Sequence, residues 1–390
     1  MHYLDYAATS AVRPDAVGRA VQRFLTEVGA SPGRGGHERS VEAGRICFRC
    51  RRRMAQLLNL PGDPGRIAFM FNATHALNTA LRGLLTPGDA VVTTPFDHNA
   101  VLRTVHSLSR TRGVEVRVAP GASDGSLDLD ATRRSLEGAK LLVVNEISNI
   151  LGTRLPLREL AGMAHEAGAL VLVDAAQSAG HLPCNPAEEG ADLVAITGHK
   201  GLLGPQGTGA LWVREGVELP PLLTGGTGGD SRLREMPDQM PDRLEAGTPN
   251  VPGIAGLLAG IEFVLEEGVE PLHARVNELK ARLRDGLEQM PTVRVLSPAA
   301  PDGTGIVTII CDTTDPATLG RRLQEESGVF VRTGLHCAPE AHRLLGTQEN
   351  GALRFSLGWA STKEDVDQAL AGLEAITGAA RVPSSQPSKA

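Results

Sequence analysis

The chain has 390 residues, ordinary hydrophobic content and a formal net charge of −6; it is too long for one small core, and two domains are expected. The acidic balance argues against nucleic acid or an anionic membrane as the main partner, and no apolar run reaches the ~18 residues that span a bilayer. Five cysteines is a low, odd count, which points to a reduced, cytoplasmic protein whose important cysteines act as thiols.

Met1-His2-Tyr3-Leu4-Asp5-Tyr6 has no basic region followed by an apolar stretch, so it does not read as a signal peptide. Residues 1–13 read as an extended arm, and a helical pattern begins over Arg19 to Leu25. The glycine-rich run from Gly29 to His37 reads as a connector. Val41 to Leu58 is helical and basic; Arg49, Arg51, Arg52 and Arg53 are expected on a solvated face or at a subunit contact. Cys47-x-x-Cys50 can be a redox pair or half a zinc site. No second Cys or His pair has matching spacing, so two ordinary helix cysteines are expected, and no metal.

From Ile67 short apolar strands alternate with helices. The strands are expected at Ile67–Phe71, Ala90–Thr94, Val114–Val118, Leu141–Glu146, Leu170–Asp174, Leu193–Thr197 and Thr208–Val213. Helices over Ala76–Leu85, Leu129–Leu136 and Leu157–Ala167 lie between several of them. This alternation predicts an α/β fold, a mostly parallel seven-stranded sheet with helices on both faces. The large domain would run over residues 14–250. The run Thr224-Gly225-Gly226-Thr227-Gly228-Gly229-Asp230 opens no helix and is not a dinucleotide fingerprint. Residues 251–379 read as a smaller α+β domain. It would hold one helical region from Ile254 to Gln289, strands at Arg294–Leu296 and Gly305–Cys311, and helices over Ala317–Glu325 and Lys363–Ile376. Residues 380–390 are polar and proline-bearing, and disorder is expected there.

The chemistry centres on Ile196-Thr197-Gly198-His199-Lys200-Gly201, just past an apolar strand. A lysine there is costly to bury as an ammonium. It becomes useful when its amine is a covalent hook for a carbonyl cofactor. Asp174 ends a neighbouring strand. A strand-end lysine with a strand-end carboxylate is what pyridoxal 5′-phosphate (PLP) needs: an imine anchor, and an anion for the ring nitrogen. Gln177 can reach the ring's phenolic oxygen. Ala73 and Thr74 follow a strand and open a helix, where free amides and the helix dipole favour a phosphate. An ordinary threonine cap is the alternative, and the lysine favours the phosphate. Thr197 and His199 are further phosphate donors. His98, at another strand end, can stack on a flat ring and relay protons.

These residues carry a resemblance. The chain resembles the class V, fold-type I PLP-dependent transferases, and among them the cysteine desulfurases and selenocysteine lyases. The matching elements run in order from Leu4-Asp5-Tyr6-Ala7-Ala8-Thr9 through Asn72-Ala73-Thr74-His75, His98, Ser148-Asn149-Ile150-Leu151-Gly152-Thr153 and Asp174-Ala175-Ala176-Gln177. They continue with Gly198-His199-Lys200-Gly201, Glu245-Ala246-Gly247-Thr248-Pro249-Asn250, Arg332-Thr333-Gly334-Leu335-His336-Cys337-Ala338 and Arg354-Phe355-Ser356. The resemblance implies that Arg354 clamps a substrate carboxylate with Asn149 assisting. It also implies a homodimer in which Thr248 reaches the cofactor phosphate of the neighbouring subunit.

Cys337 separates one reaction from another. Its loop resembles that of the short-loop, SufS-type desulfurases, although those carry two histidines before the cysteine where this chain has Leu335-His336. The resemblance implies that Cys337 takes sulfur from L-cysteine as a persulfide, with alanine as product; the neighbouring His336 and a helix N-terminus are both expected to favour its thiolate. The persulfide would pass to a sulfur-acceptor protein or reductant, for iron–sulfur cluster assembly or thio-modification. Three alternatives stand beside this reading: selenocysteine as the preferred substrate, a class V aminotransferase or lyase that does not use Cys337, and a non-enzymatic PLP-fold scaffold.

Overall fold

The computed structural model describes residues 1–379 apart from residues 34, 230 and 231; the tail expected to be disordered, 380–390, lies outside the described residues. Strand β1 (His2–Tyr3) opens the chain, and helices α1 (Asp15–Arg23) and α2 (Glu38–Leu57) follow. The large sheet then collects β2 (Ile67–Met70), β3 (Ala90–Thr93), β4 (Glu115–Val118), β5 (Leu141–Asn145), β6 (Leu170–Asp174), β7 (Leu193–Thr197) and β8 (Gly209–Val213). Among the described residues it is seven-stranded, in the order β2-β8-β7-β6-β5-β3-β4. All neighbours pair in parallel except β8, which runs antiparallel to both β2 and β7.

The strands are continuous apolar runs because both faces are covered. In β5, Leu141 and Val143 enter one core with helices α3 (Ala73–Leu84) and α4 (Asn99–Arg112), while Leu142 and Val144 enter the other. That second core holds α2, α6 (Leu157–Glu166) and the C-terminal residue of α5 (Leu129–Leu136). Helix α3 begins three residues before its expected start. Asn72 caps it by accepting from the His75 amide at 2.9 Å.

The expected helical region from Ile254 to Gln289 is two helices, α7 (Val251–Glu267) and α8 (Val269–Glu288). Gly268, at φ +81°, breaks them apart. Helix α7 buries Ile254, Leu257, Leu258, Ile261 and Val264 in the core of the large sheet. Leu272 still belongs to that core, whereas Leu279, Leu283 and Leu287 belong to the smaller one. The cores therefore divide within α8, not at the expected 250/251 boundary. The smaller core lies against an antiparallel sheet ordered β12-β13-β10-β9. Its strands are β9 (Val293–Val295), β10 (Ile306–Cys311), β12 (Arg332–Gly334) and β13 (Ala352–Ser356). Helices α9 (Pro316–Ser327) and α11 (Lys363–Ala379) cover it, and a short helix α10 (Pro339–Leu344) follows β12. Strand β11 (Val329–Phe330) pairs in parallel with β1 as a separate two-stranded sheet, and Leu4 just after β1 enters the smaller core, so the N-terminal arm starts on the smaller unit.

The basic face of α2 is not simply solvated. Arg51 Nη2 donates to both Glu245 carboxylate oxygens, at 2.7 and 2.8 Å, and its guanidinium lies over the Phe69 ring. Arg49 and Arg53 pair with Glu262 of α7. Cys47 and Cys50 are buried among apolar residues; burial pushes the Cys47 thiol up to about 11 and the Cys50 thiol up as well. Both sit in the packing of the helix as free thiols. Among the described residues no helix is long and apolar enough to cross a membrane.

Candidate active site

The carboxyl ends of β2, β3, β5, β6 and β7 converge on one cavity of about 250 Å³. Ten of the residues singled out in the sequence line it: Ala73 and Thr74 from the start of α3, His98, Asn149, Asp174, Gln177, Thr197, His199, Lys200, and Arg354 from β13. Ligands bind at this edge of parallel sheets because the loops leaving successive strands splay apart there. The residues come from points far apart in the chain, and the sheet register aligns them; Asn145 of β5, for example, pairs with Asp174 of β6.

The Lys200 loop is held by close backbone approach. A side chain at Gly201 would run into the Ala179 carbonyl, and one at Gly260 of α7 would run into the Leu202 carbonyl. The arm fastens the same loop. Ser10 donates from its amide to the His199 carbonyl at 3.0 Å and from its hydroxyl to the Lys200 carbonyl at 2.9 Å. Burial lowers the Lys200 amine to about 8; Asp174 opposes the shift, while Arg354 and Arg332 add to it. At pH 7 about one amine in ten is then unprotonated, against about one in a few thousand for an ordinary lysine. Burial raises Asp174, which is held by the Ala176 amide at 3.0 Å and by the field of Lys200. A carboxylate so placed calls for a cationic partner in the cavity.

At the other end, the first-turn amides of α3 have no acceptors within the helix, and the buried Thr197 hydroxyl has no partner among the described residues. His199 Nδ1 lies 3.0 Å from the Thr9 hydroxyl. His98 accepts the Ala100 amide at Nδ1 (3.0 Å), so its proton sits on Nε2. Burial, then Lys200, lowers His98 to about 4, and it is neutral near pH 7. Gln177 donates to the Ala7 carbonyl at 2.9 Å.

Arg354 is 1 % exposed. It donates from Nη1 to the Asn149 carbonyl and from Nη2 to the Asp5 carboxylate, both at 2.9 Å. Its Nε–H and the Asn149 Oδ1 are buried without partners among the described residues. Such unsatisfied groups on a cavity wall mark where a polar ligand belongs.

Cys337 lies in the turn between β12 and α10, and the Arg332 Nη2 reaches its sulfur at 3.7 Å. His336 and Cys337 both have positive φ, +49° and +60°. Non-glycine residues hold that conformation at a cost of roughly 1–3 kcal/mol each, and only where their surroundings over-determine it. Here Asn149 Nδ2 donates to the His336 carbonyl and the Asn99 amide donates to the Cys337 carbonyl, each at 2.7 Å. The role expected for His336 is corrected. It is buried, and burial with Arg354 lowers it to about 3, so it is neutral and brings no positive charge to the sulfur. The following helix, α10, is only six residues long; the cation next to the sulfur is Arg332. Thr248 lies apart from the cavity of its own chain, in a depression with Phe71, His75 and Asn250.

Sequence reasoning assigned no role to Asp5 or Arg332. Asp5 pairs with a residue 349 positions away, and no local pattern signals that. Arg332 stands five residues before Cys337 in a strand end, a spacing that could have been weighed.

The cavity suits PLP. It has a lysine amine near neutrality, a buried carboxylate short of a cation, an unpartnered hydroxyl and helix amides at one end, and an open guanidinium at the other. A mostly parallel α/β sheet with that lysine and aspartate at its carboxyl edge defines a fold-type I PLP-dependent enzyme. The chain belongs to the aminotransferase class-V family, whose pattern matches residues 2–369, and its cofactor is PLP. It is 33% identical over 381 residues to a probable cysteine desulfurase of Pyrococcus abyssi, covering 96% of this chain and 94% of that one. The apo structure of the cysteine desulfurase of Thermococcus onnurineus superposes with a TM-score of 0.91 at 32% identity, covering 97% of this chain and 95% of that one. The cysteine desulfurase CsdA of Escherichia coli gives 0.86 at 28% identity, covering 96% and 94%.

Proposed function

We propose that the protein is a PLP-dependent cysteine desulfurase that converts L-cysteine to L-alanine and leaves the sulfur as a persulfide on Cys337. The observation that carries this reading is a thiol on a strained loop, with a guanidinium 3.7 Å from its sulfur, beside a cavity holding a lysine–aspartate pair. Bound PLP supplies an electron sink for the bond broken at the substrate Cα. Lys200 would anchor it, and its Nζ would be the group that holds and returns the Cα proton. Asp174 is the fixed anion for the ring nitrogen. Gln177 would serve the ring's polar edge, and His98 would face the ring and hold a proton at Nε2. Ala73, Thr74, Thr197 and His199 hold the phosphate. Arg354, with its free Nε–H and Asn149 beside it, takes the substrate carboxylate.

Cys337 Sγ then attacks the substrate sulfur. An S–S bond forms as the Cβ–S bond breaks, and the electron pair passes to Cβ, which takes up a proton. The sulfur of Cys337 is oxidised as Cβ is reduced, so a thiol and L-cysteine give a persulfide and L-alanine. Arg332 faces the anionic sulfur before the attack. The persulfide passes on to a sulfur-acceptor protein. Thr248, outside its own cavity, serves the phosphate of a second copy in a homodimer. All five cysteines are free thiols, which suits the cytoplasm.

The test is a single incubation of the PLP-loaded protein with L-cysteine. Alanine should appear in proportion to enzyme, and the peptide bearing Cys337 should gain the mass of one sulfur atom. Alanine without sulfur on Cys337, or no alanine at all, defeats the reading.

A further inference from the structure

The Cys337 loop is backed by a buried histidine pair that the reaction above does not use. His336 is 3% exposed, His342 0% and Thr347 6%. The two rings stack 5.6 Å apart, 13° from parallel. His336 Nε2 lies 3.2 Å from the Arg332 carbonyl, His336 Nδ1 lies 3.4 Å from His342 Nε2, and His342 Nδ1 lies 2.7 Å from the Thr347 hydroxyl.

For two neutral rings these contacts admit one proton arrangement. A carbonyl only accepts, so His336 carries its proton on Nε2. Its Nδ1 is then bare, and His342 must donate from Nε2. That leaves His342 Nδ1 bare, and the Thr347 hydroxyl must donate to it. The reverse order would set a bare nitrogen against the Arg332 carbonyl. A charged ring is disfavoured at both positions, because burial lowers His336 to about 3 and His342 to about 4. The Thr347 hydroxyl also lies 3.5 Å from the His342 carbonyl, which already accepts the Thr347 amide at 2.9 Å; the ring contact at 2.7 Å is much the shorter of the hydroxyl's two.

The chain of bonds ends on Arg332, whose guanidinium reaches the Cys337 sulfur, and it passes through His336, whose positive φ sets the turn. It joins the start of β12 to α10 across the strained residues, so the loop's pose is specified from behind as well as by Asn149 and Asn99 in front. We propose that Thr347 and His342 are positioning residues for sulfur transfer: by fixing His336 in the Nε2-protonated form, they hold the loop so that the Cys337 sulfur faces Arg332. The proposal rests on the reading of Cys337 as the sulfur nucleophile.

Thr347→Val removes the donor at nearly constant volume, and Thr347→Ser keeps it. In PLP-loaded protein three quantities are read: the single-turnover rate of persulfide formation on Cys337, the L-cysteine concentration that half-saturates the change in the cofactor spectrum, and the rate at which iodoacetamide alkylates Cys337. Thr347→Val should slow persulfide formation about tenfold, since misplacing a reacting group by about 1 Å costs up to about a hundredfold. It should also change the alkylation rate several-fold, and leave half-saturation and the resting spectrum as in the unaltered protein. Thr347→Ser should restore both rates. If Thr347→Val does not fold, His342→Phe carries the same expectation. Unaltered persulfide and alkylation rates overturn the proposal, and so does a loss in which binding and spectrum fall in parallel. Alkylation needs no turnover, so it judges the loop even if the unaltered protein makes no persulfide, a result that would instead sink the role of Cys337.

Discussion

The two ends of the cavity are built in opposite ways. At the lysine end, Asp174 closes β6 and Lys200 follows β7, and the loop is set by backbone packing: glycines in close contact, and the Ser10 amide donating to the His199 carbonyl. At the sulfur end, Cys337 follows an antiparallel strand, and its turn uses two non-glycine residues at positive φ. That turn is held largely by side chains, those of Asn149, His336 and Arg332. A site fixed by backbone tolerates changes in its neighbours, while one fixed by side-chain bonds is sensitive to each of them. The arm ties the two together: Asp5 pairs with Arg354, Ala7 receives Gln177, and Ser10 holds the Lys200 loop.

Two substitutions separate the ends most sharply. Lys200→Ala should abolish the absorbance of covalently held cofactor and lower alanine production by about a thousandfold or more. Cys337→Ala should lower it by about a hundredfold or more, yet leave the cofactor spectrum intact and still responsive to L-cysteine. Full alanine production by Cys337→Ala would remove the sulfur end from the reaction altogether.

How much of each end could be read from the sequence follows from the same difference. Lys200, Asp174, Ala73 and His98 stand where short apolar runs stop, and a strand end is a local signal. The alternation of strands and helices gave the large sheet, because strands buried on both faces are uninterrupted apolar runs. The break at Gly268 was missed although the sequence carries a signal for it: a glycine, here at positive φ, with Pro271 three residues on in the first turn of α8. The division of the cores was missed for a different reason: α7 is apolar enough to serve either core, and its partners are far away in sequence. At the sulfur end the thiol was visible, but its surroundings were not. His336 next to Cys337 reads as a helper of the thiolate, yet its ring turns away to Arg332 and His342. Ring direction depends on a turn conformation that no spacing rule encodes. Asp5 lay in a quoted motif without a role, because its partner is at the far end of the chain.

Smaller changes sharpen the contrast. Arg354→Lys replaces a planar fork by a point charge, and should raise KM for L-cysteine about 30- to 100-fold with a lesser effect on kcat. A larger loss in kcat than in KM would mean that Arg354 serves the chemistry rather than binding. At the lysine end, the unprotonated amine is the form that reacts with the cofactor carbonyl. The rate at which stripped protein reloads PLP should therefore rise with pH through a midpoint of about 8, the value to which burial lowers Lys200. Asp174 favours the ammonium, so Asp174→Asn should move that midpoint to lower pH. A midpoint that stays in place would show that Asp174 does not act on the free lysine.

The smallest expected effect probes the arm. In this structure the Arg354 charge is balanced by Asp5 at 2.9 Å, with side-chain exposures of 1% and 20%. Asp5→Asn keeps an acceptor oxygen but removes the charge. Without substrate, the buried guanidinium is then poorly compensated, and stability should fall by about 1–2 kcal/mol, less than for a fully buried pair. With substrate, the incoming carboxylate no longer shares the guanidinium with a second anion. KM for L-cysteine should therefore fall a few-fold, and saturating L-cysteine should recover much of the lost thermal stability. If KM rises together with the loss of stability, Asp5 orients Arg354 instead of competing for it. The arm would then be a fixed strap like the backbone contacts around Lys200, and the sulfur end would be less dependent on side-chain ties than its turn suggests.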